Sequence, residues 1–224
     1  MSVARTAILG RIRASLKAKA GDEARIAAAN TRIATHANQL VPERARGPEQ
    51  GRVALFRSFL EGQLASVIEV AGDDAVPAAI NTYLQQMELP ARLRMGADAR
   101  LAAMPFAAER GLVVETGPAQ ADDAVGLSHA LCGIAETGTL VMAAGGDNPV
   151  TLAFLPTTHI IVVRRDTIVG SYEEAVSKVR DALGAISMPR TLNYISGPSR
   201  TADIGGKIVI GAHGPRNLAV IVTG

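Results

Sequence analysis

The chain has 224 residues, 48% of them hydrophobic and 20% charged, which is enough to bury a core and too apolar for intrinsic disorder. Its single cysteine, Cys132, excludes an internal disulfide and any cysteine-ligated iron–sulfur cluster or zinc site built from this chain alone, and it fits a reducing, cytoplasmic setting. The net charge of +2 hides an asymmetry, because residues 1–60 hold 11 Lys/Arg against 4 Asp/Glu whereas residues 61–224 hold 12 against 17.

A basic head of this kind suits nucleic acid. Against that partner stand an aromatic content of 3%, the absence of tryptophan, and the lack of zinc-finger spacing or an RNA-stacking motif. Apolar runs such as "TLVMAA" (139–144) and "IIVV" (160–163) fall far short of the roughly 18–20 residues of a membrane helix, so no membrane span is expected.

Ile8, Ile12 and Leu16 recur at helical spacing among Arg11, Arg13 and Lys17, which predicts a first helix over about residues 1–20. The pattern suits a transit peptide but equally an amphipathic helix docked on a domain, and the docked helix is the simpler reading. A polar, alanine-rich stretch follows, and "VPERARGPEQG" (41–51), with two prolines and two glycines, reads as a loop between helices. Residues 53–65 are again helical, with Leu55, Phe59 and Leu60 on one side and Leu64 continuing the stripe. "SVIEVAG" (66–72) reads as a strand, and Asp73, Asp74 and Pro77 supply what a helix entrance needs.

Strands are predicted at 91–96 and 111–116, and the alternation of strand and helix favours a parallel or mixed sheet flanked by helices. The segment 125–146 gives two strand-like runs either side of Glu136-Thr137-Gly138. Pro149 opens a short helix, and 158–169 forms a strand with an extension. Ser171 and Glu174 stand three apart, a capping box for the next helix. "TLNYISG" and "NLAVIVTG" are the last strands. Cys132, among Leu131, Gly133 and Ile134, reads as a small core residue rather than a nucleophile.

Three polar segments border apolar strands: "AETGT" (135–139), "SGPSRTADIGG" (196–206) and "GAHGPRN" (211–217). In open α/β sheets, ligands gather outside the carboxyl ends of strands, and glycine-rich backbone with hydroxyl side chains suits an anion. Glu136 could act as a general base or acyl-accepting nucleophile, or as a structural carboxylate tying loops together. His213 could be acid, base or metal ligand, with His129 or His159 joining it. No HxxxH or HExxH spacing occurs, so no metal site is expected. Arg200 could pair with a carboxylate or phosphate, and Asp203 could hold Arg200, cap the following segment or orient a histidine. Structural capping alone, with no ligand, is the simplest account of Ser199 to Asp203. A nucleotide P-loop fails here, because Thr201 stands where its first glycine belongs and Ile208 follows Lys207.

The ordered set "ETGTLVMA", "LPTTHIIVV", "GPSRTADI" and "GAHGPRNLAVIV" resembles the LUD-domain family, in its short lactate-utilisation protein C type. The resemblance implies an α/β fold with an open mixed sheet, similar to ribose-5-phosphate isomerase, glucosamine-6-phosphate deaminase and CoA transferases. It divides the chain into an N-terminal helical extension (1–50) and a LUD-type α/β domain (51–224). It implies a role in oxidising L-lactate to pyruvate together with two iron–sulfur partner proteins, which would carry the redox centres this chain lacks. The family motifs fall on Glu136, Thr137, Gly138 and Thr139, on Gly197, Pro198, Ser199, Thr201 and Asp203, and on His213 and Gly214. Glu136 and His213 are the candidate catalytic groups. The others, with Arg200, are candidate binders of a small carboxylate or phosphate. No sequence feature fingerprints NAD or flavin, so the cofactor is unassigned. Two other functions stay open: a stand-alone isomerase or acyl/CoA transferase using Glu136, and an assembly or regulatory module whose basic head docks partners.

Overall fold

The computed structural model describes residues 3–17, 21–37, 41–184, 188–202 and 205–224. The chain divides into two compact units, Met1–Leu40 and Val41–Gly224.

The first unit holds α1 (Val3–Ser15) and α2 (Glu23–Thr35), and no residue of either helix is buried. The second helix lies in the alanine-rich stretch for which the sequence reading named no element. Asp22 caps it by accepting a hydrogen bond from the Arg25 backbone N–H at 3.1 Å, and alanine is the best helix former.

In the second unit, α3 (Glu49–Gly62) buries Val53, Phe56 and Leu60. The expected stripe is partly out of phase: Leu55 and Phe59 are half-buried, and Leu64 is 64% exposed. The helix ends at Gly62, so Leu64 has left its register and takes a left-handed φ of 68°. There follow β1 (Ser66–Val70), α4 (Val76–Gln86), β2 (Arg92–Met95), the short α5 (Ala99–Ala102), β3 (Val113–Thr116) and β4 (Val125–His129). The stretch expected to give two strands gives three, because after β4 the chain turns at Ala130 and Leu131 into β5 (Cys132–Ile134) before β6 (Thr139–Ala143). Then come β7 (Thr158–Arg164), β8 (Ile168–Val169), α6 (Tyr172–Leu183), β9 (Leu192–Ile195), the two-residue β10 (Arg200–Thr201) and β11 (Val209–Ile210), and β12 (Asn217–Thr223).

Six of these strands form one sheet in the order β1-β12-β7-β4-β2-β3, and every pairing in it is parallel. The central strands β7 and β12 are unbroken apolar runs because both faces are covered. Ile161, Val163, Leu218, Val220 and Val222 pack with Val53, Phe56 and Leu60 of α3. Their alternating neighbours Ile160, Val162, Ala219 and Ile221 pack with Val76, Ile80 and Leu84 of α4. A second sheet, β8-β5-β6-β9, is mixed. Leu140 and Met142 of β6 join the α3 side of the core, while Cys132, Ile134 and Val141 face Ala175 and Val179 of α6. The α/β class with helices flanking a sheet is as the sequence implied, with the mixed character confined to the smaller sheet. The predicted capping box is present: the Ser171 hydroxyl accepts from the Glu174 N–H, and Glu174 accepts from the Ser171 N–H.

Candidate functional site

The opening of the loop after β9 is pinned at both of its ends. Ser199 N–H donates to the Pro215 carbonyl and Gly211 N–H donates to the Ser199 carbonyl, each at 2.9 Å. The antiparallel β10–β11 ladder folds the chain back so that these bonds form, and Gly214 sits so close that a Cβ there would lie 3.4 Å from the Ser199 Cβ. The two glycine-proline segments therefore make one structure. Arg200 fastens it to the end of α3, donating to the Gln63 side-chain oxygen at 3.1 Å and to the Gln63 carbonyl at 2.6 Å.

Between this structure, β9 and the amino ends of β7 and β12 lies a pocket of about 390 Å³. Gly197, Pro198, Ser199, Arg200, His213 and Gly214 line it, together with all of β9, Ser196, Phe154 and His159. Six of the sequence candidates thus converge. The position departs from the expectation of a site at the carboxyl ends of the parallel strands: His159 and Leu218 are the second residues of β7 and β12, so the pocket opens at the amino ends. The small mixed sheet causes this, since β9 delivers its carboxyl end there.

His159 is only 1% exposed and shares a 3.0 Å hydrogen bond between its Nε2 and the Ser128 hydroxyl. Burial pushes its imidazole down to about 3, so the ring is neutral at any ordinary pH. His129, at the opposite end of the parallel strands, is lowered to about 4, by burial first and then by the Arg100 charge. It does not line the pocket. Cys132 is buried and its thiol is pushed up to about 11 by burial, which leaves no thiolate for nucleophilic chemistry.

The remaining candidates lie elsewhere. Glu136 is buried, but its Oε1 accepts the Tyr172 backbone N–H at 3.0 Å, its N–H donates to the Gly170 carbonyl, and its carbonyl accepts from Arg44 Nε. The carboxylate thus sits on the positive amino end of α6 and is not part of the pocket lining. Gly138 has a left-handed φ of 62°, and a Cβ there would lie 2.8 Å from the Leu60 nitrogen; it lets the β5–β6 turn press onto α3. Thr137 and Thr139 share a 2.7 Å hydrogen bond, and Thr139 shares another of 2.7 Å with Ser196, which does line the pocket. The Tyr172 hydroxyl stands 3.2 Å from both threonines. Thr201 pairs with Val209 in the hairpin, and Asp203 lies outside the described residues.

Sequence reasoning singled out no binding role for Phe154, Asn193, Tyr194 or Ser196, and it offered His159 only as a companion to His213, without its partner Ser128. The alternation of "TLNYI" carried a signal for β9, but nothing local reveals that its end meets His159, 31 residues from that histidine's own partner Ser128. Among the described residues, no group of three or more His, Cys, Asp or Glu side chains is placed to hold a metal ion, and no helix is long and apolar enough to cross a membrane.

By class this is an α/β protein, with a six-stranded parallel sheet and a smaller mixed sheet beside which the two glycine-proline loops wall a pocket. The LUD domain family matches residues 23–223, and the chain belongs to that family. It is 38% identical over 96 residues to an uncharacterized protein of Neisseria meningitidis, covering 43% of this chain and 40% of the relative. It is 35% identical over 99 residues to lactate utilization protein C of Bacillus subtilis, covering 44% and 41%, and 35% over 100 residues to lactate utilization protein C of Geobacillus thermodenitrificans, covering 44% and 41%. The matched stretch spans about two fifths of those relatives' length. The fold is similar to the crystal structure of a DUF162 family protein from Deinococcus radiodurans, with a TM-score of 0.61 at 24% identity over 80% of this chain and 100% of that one.

Proposed function

We propose that this chain is the ligand-binding subunit of an L-lactate oxidising system, holding a small carboxylate in the pocket between the two glycine-proline loops. The observation that carries the reading is the convergence of Ser199, His213 and Gly214 on a pocket based on the neutral His159. Hydroxyl and imidazole groups are suitable partners for a carboxylate and an adjacent hydroxyl. The names of the similar lactate utilization proteins supply the substrate class. Oxidising L-lactate to pyruvate releases two electrons and two protons. With one cysteine, Cys132, buried and protonated, this chain offers no donor set for an iron–sulfur cluster, so two iron–sulfur partner proteins receive the electrons in this proposal.

The Glu136 bonds to the start of α6 give no support to an isomerase or acyl/CoA transferase using that residue. A docking role for the basic head, residues 1–60, is favoured, beside ligand binding, by the exposed Ile8, Ile12, Leu16, Ile26 and Ile33. Deleting the gene from a strain with no other L-lactate dehydrogenase tests the main reading. Growth on L-lactate is expected to stop while growth on pyruvate continues, and unimpaired growth on L-lactate would refute it.

A further inference from the structure

The aromatic residues are distributed unevenly. The chain has four phenylalanines and three tyrosines. Phe56 and Tyr83 are buried, and Phe59 and Phe106 are half-buried. All three exposed rings, Phe154 (51%), Tyr194 (42%) and Tyr172 (37%), gather at one place. Phe154 and Tyr194 both line the pocket of the two glycine-proline loops, and Tyr172 packs on Tyr194 with ring centroids 5.9 Å apart. The rings come from three segments: the turn before β7, β9, and the start of α6. These rings leave about half of their surface unburied, and a cluster of them at a pocket offers flat faces to a flat ligand.

Size points the same way. A volume of about 390 Å³ lies in the range of roughly 300–1,000 Å³ that accepts ligands the size of a drug molecule, well beyond a three-carbon hydroxy acid. The walls divide by chemistry. Phe154, Leu192 and Tyr194 are apolar, whereas Ser199, Arg200 and His213 bring polar groups.

Building on the anion pocket proposed above, we infer that its full ligand is a planar aromatic ring carrying a carboxylate or phosphate, with Phe154 and Tyr194 stacking on the ring and the two-loop structure holding the anion. An isolated lactate would occupy only part of the volume of about 390 Å³. The inference concerns the class of molecule bound and requires no chemical step.

Titration calorimetry on the full chain with four probes tests it: naphthoate, its saturated counterpart decalin carboxylate, the uncharged naphthamide, and L-lactate. Ring contacts from two side chains give an expected preference of about tenfold for naphthoate over decalin carboxylate, and naphthamide should bind at least about tenfold more weakly for want of its charge. Phe154→Leu, which keeps apolar bulk, and Tyr194→Leu should each reduce the aromatic-over-saturated preference about threefold, with unchanged melting temperature confirming the fold. Equal affinity for naphthoate and decalin carboxylate, or for naphthoate and naphthamide, overturns the inference. If L-lactate alone binds and His213→Ala abolishes that binding, the planar ligand is refuted and the lactate pocket stands. If no probe binds, both fall.

Discussion

Glu136 illustrates how a motif residue acquires its meaning only from its surroundings. In the sequence its carboxylate beside two threonines reads as a tie between loops or, less simply, as a base. The fold gives it the Tyr172 N–H and the amino end of α6, a charge-assisted bond at a helix dipole. Glu136→Ala is therefore expected to lower stability by about 1–2 kcal/mol and Glu136→Gln by less, with L-lactate affinity held within about twofold in calorimetry. Lost binding at unchanged melting temperature would mark it as a ligand-contacting group instead. The buried histidines give a pH dependence whose sign is fixed. His129 and His159 are lowered to about 4 and about 3, far below the ordinary value near 6.5. Between about pH 4 and 6 the unfolded chain takes up protons that the folded chain refuses, so stability falls as pH falls, by up to about 1.4 kcal/mol per pH unit for each histidine. Urea unfolding at several pH values should show that slope roughly halved in His159→Gln.

At the scale of elements, the strands and helices of the α/β unit were readable because their patterns are local. Apolar runs for β7 and β12, the Asp73-Asp74-Pro77 entrance to α4, and the Ser171–Glu174 box all declare themselves within a few residues. The position of the pocket was not readable. It depends on β10 pairing with β11, a two-residue ladder without a hydrophobic pattern, and on β9 belonging to the second sheet. A rule about carboxyl ends of strands holds for a single open sheet and does not anticipate a pocket that a second sheet builds at the amino ends. Two substitutions probe these elements. Ser171→Ala removes one half of the capping box and should cost about 1 kcal/mol. Gly138→Ala forces a side chain into a left-handed turn against α3 and should cost more than about 1 kcal/mol, read in both cases by chemical denaturation.

For the molecule as a whole, every buried residue among those described lies between Ala45 and Thr223, so the Val41–Gly224 unit carries the hydrophobic core. That unit, expressed by itself, is expected to unfold cooperatively within a few degrees of the full chain. The family itself was legible in the order of four motifs, because those motifs build the β5–β6 turn, β7, the two-loop structure and β12. What the ordered motifs could not convey is that they serve two different ends, the "ETGT" turn holding α6 and α3 while the glycine-proline loops wall the pocket. The central claim is that this pocket serves lactate use. Its most direct test is to return a Ser199→Ala, His213→Ala double variant to the deletion strain that lacks other L-lactate dehydrogenases, at matched protein level. Growth on pyruvate with little or none on L-lactate is the expected result, and growth on L-lactate at the rate of the unaltered protein would contradict it.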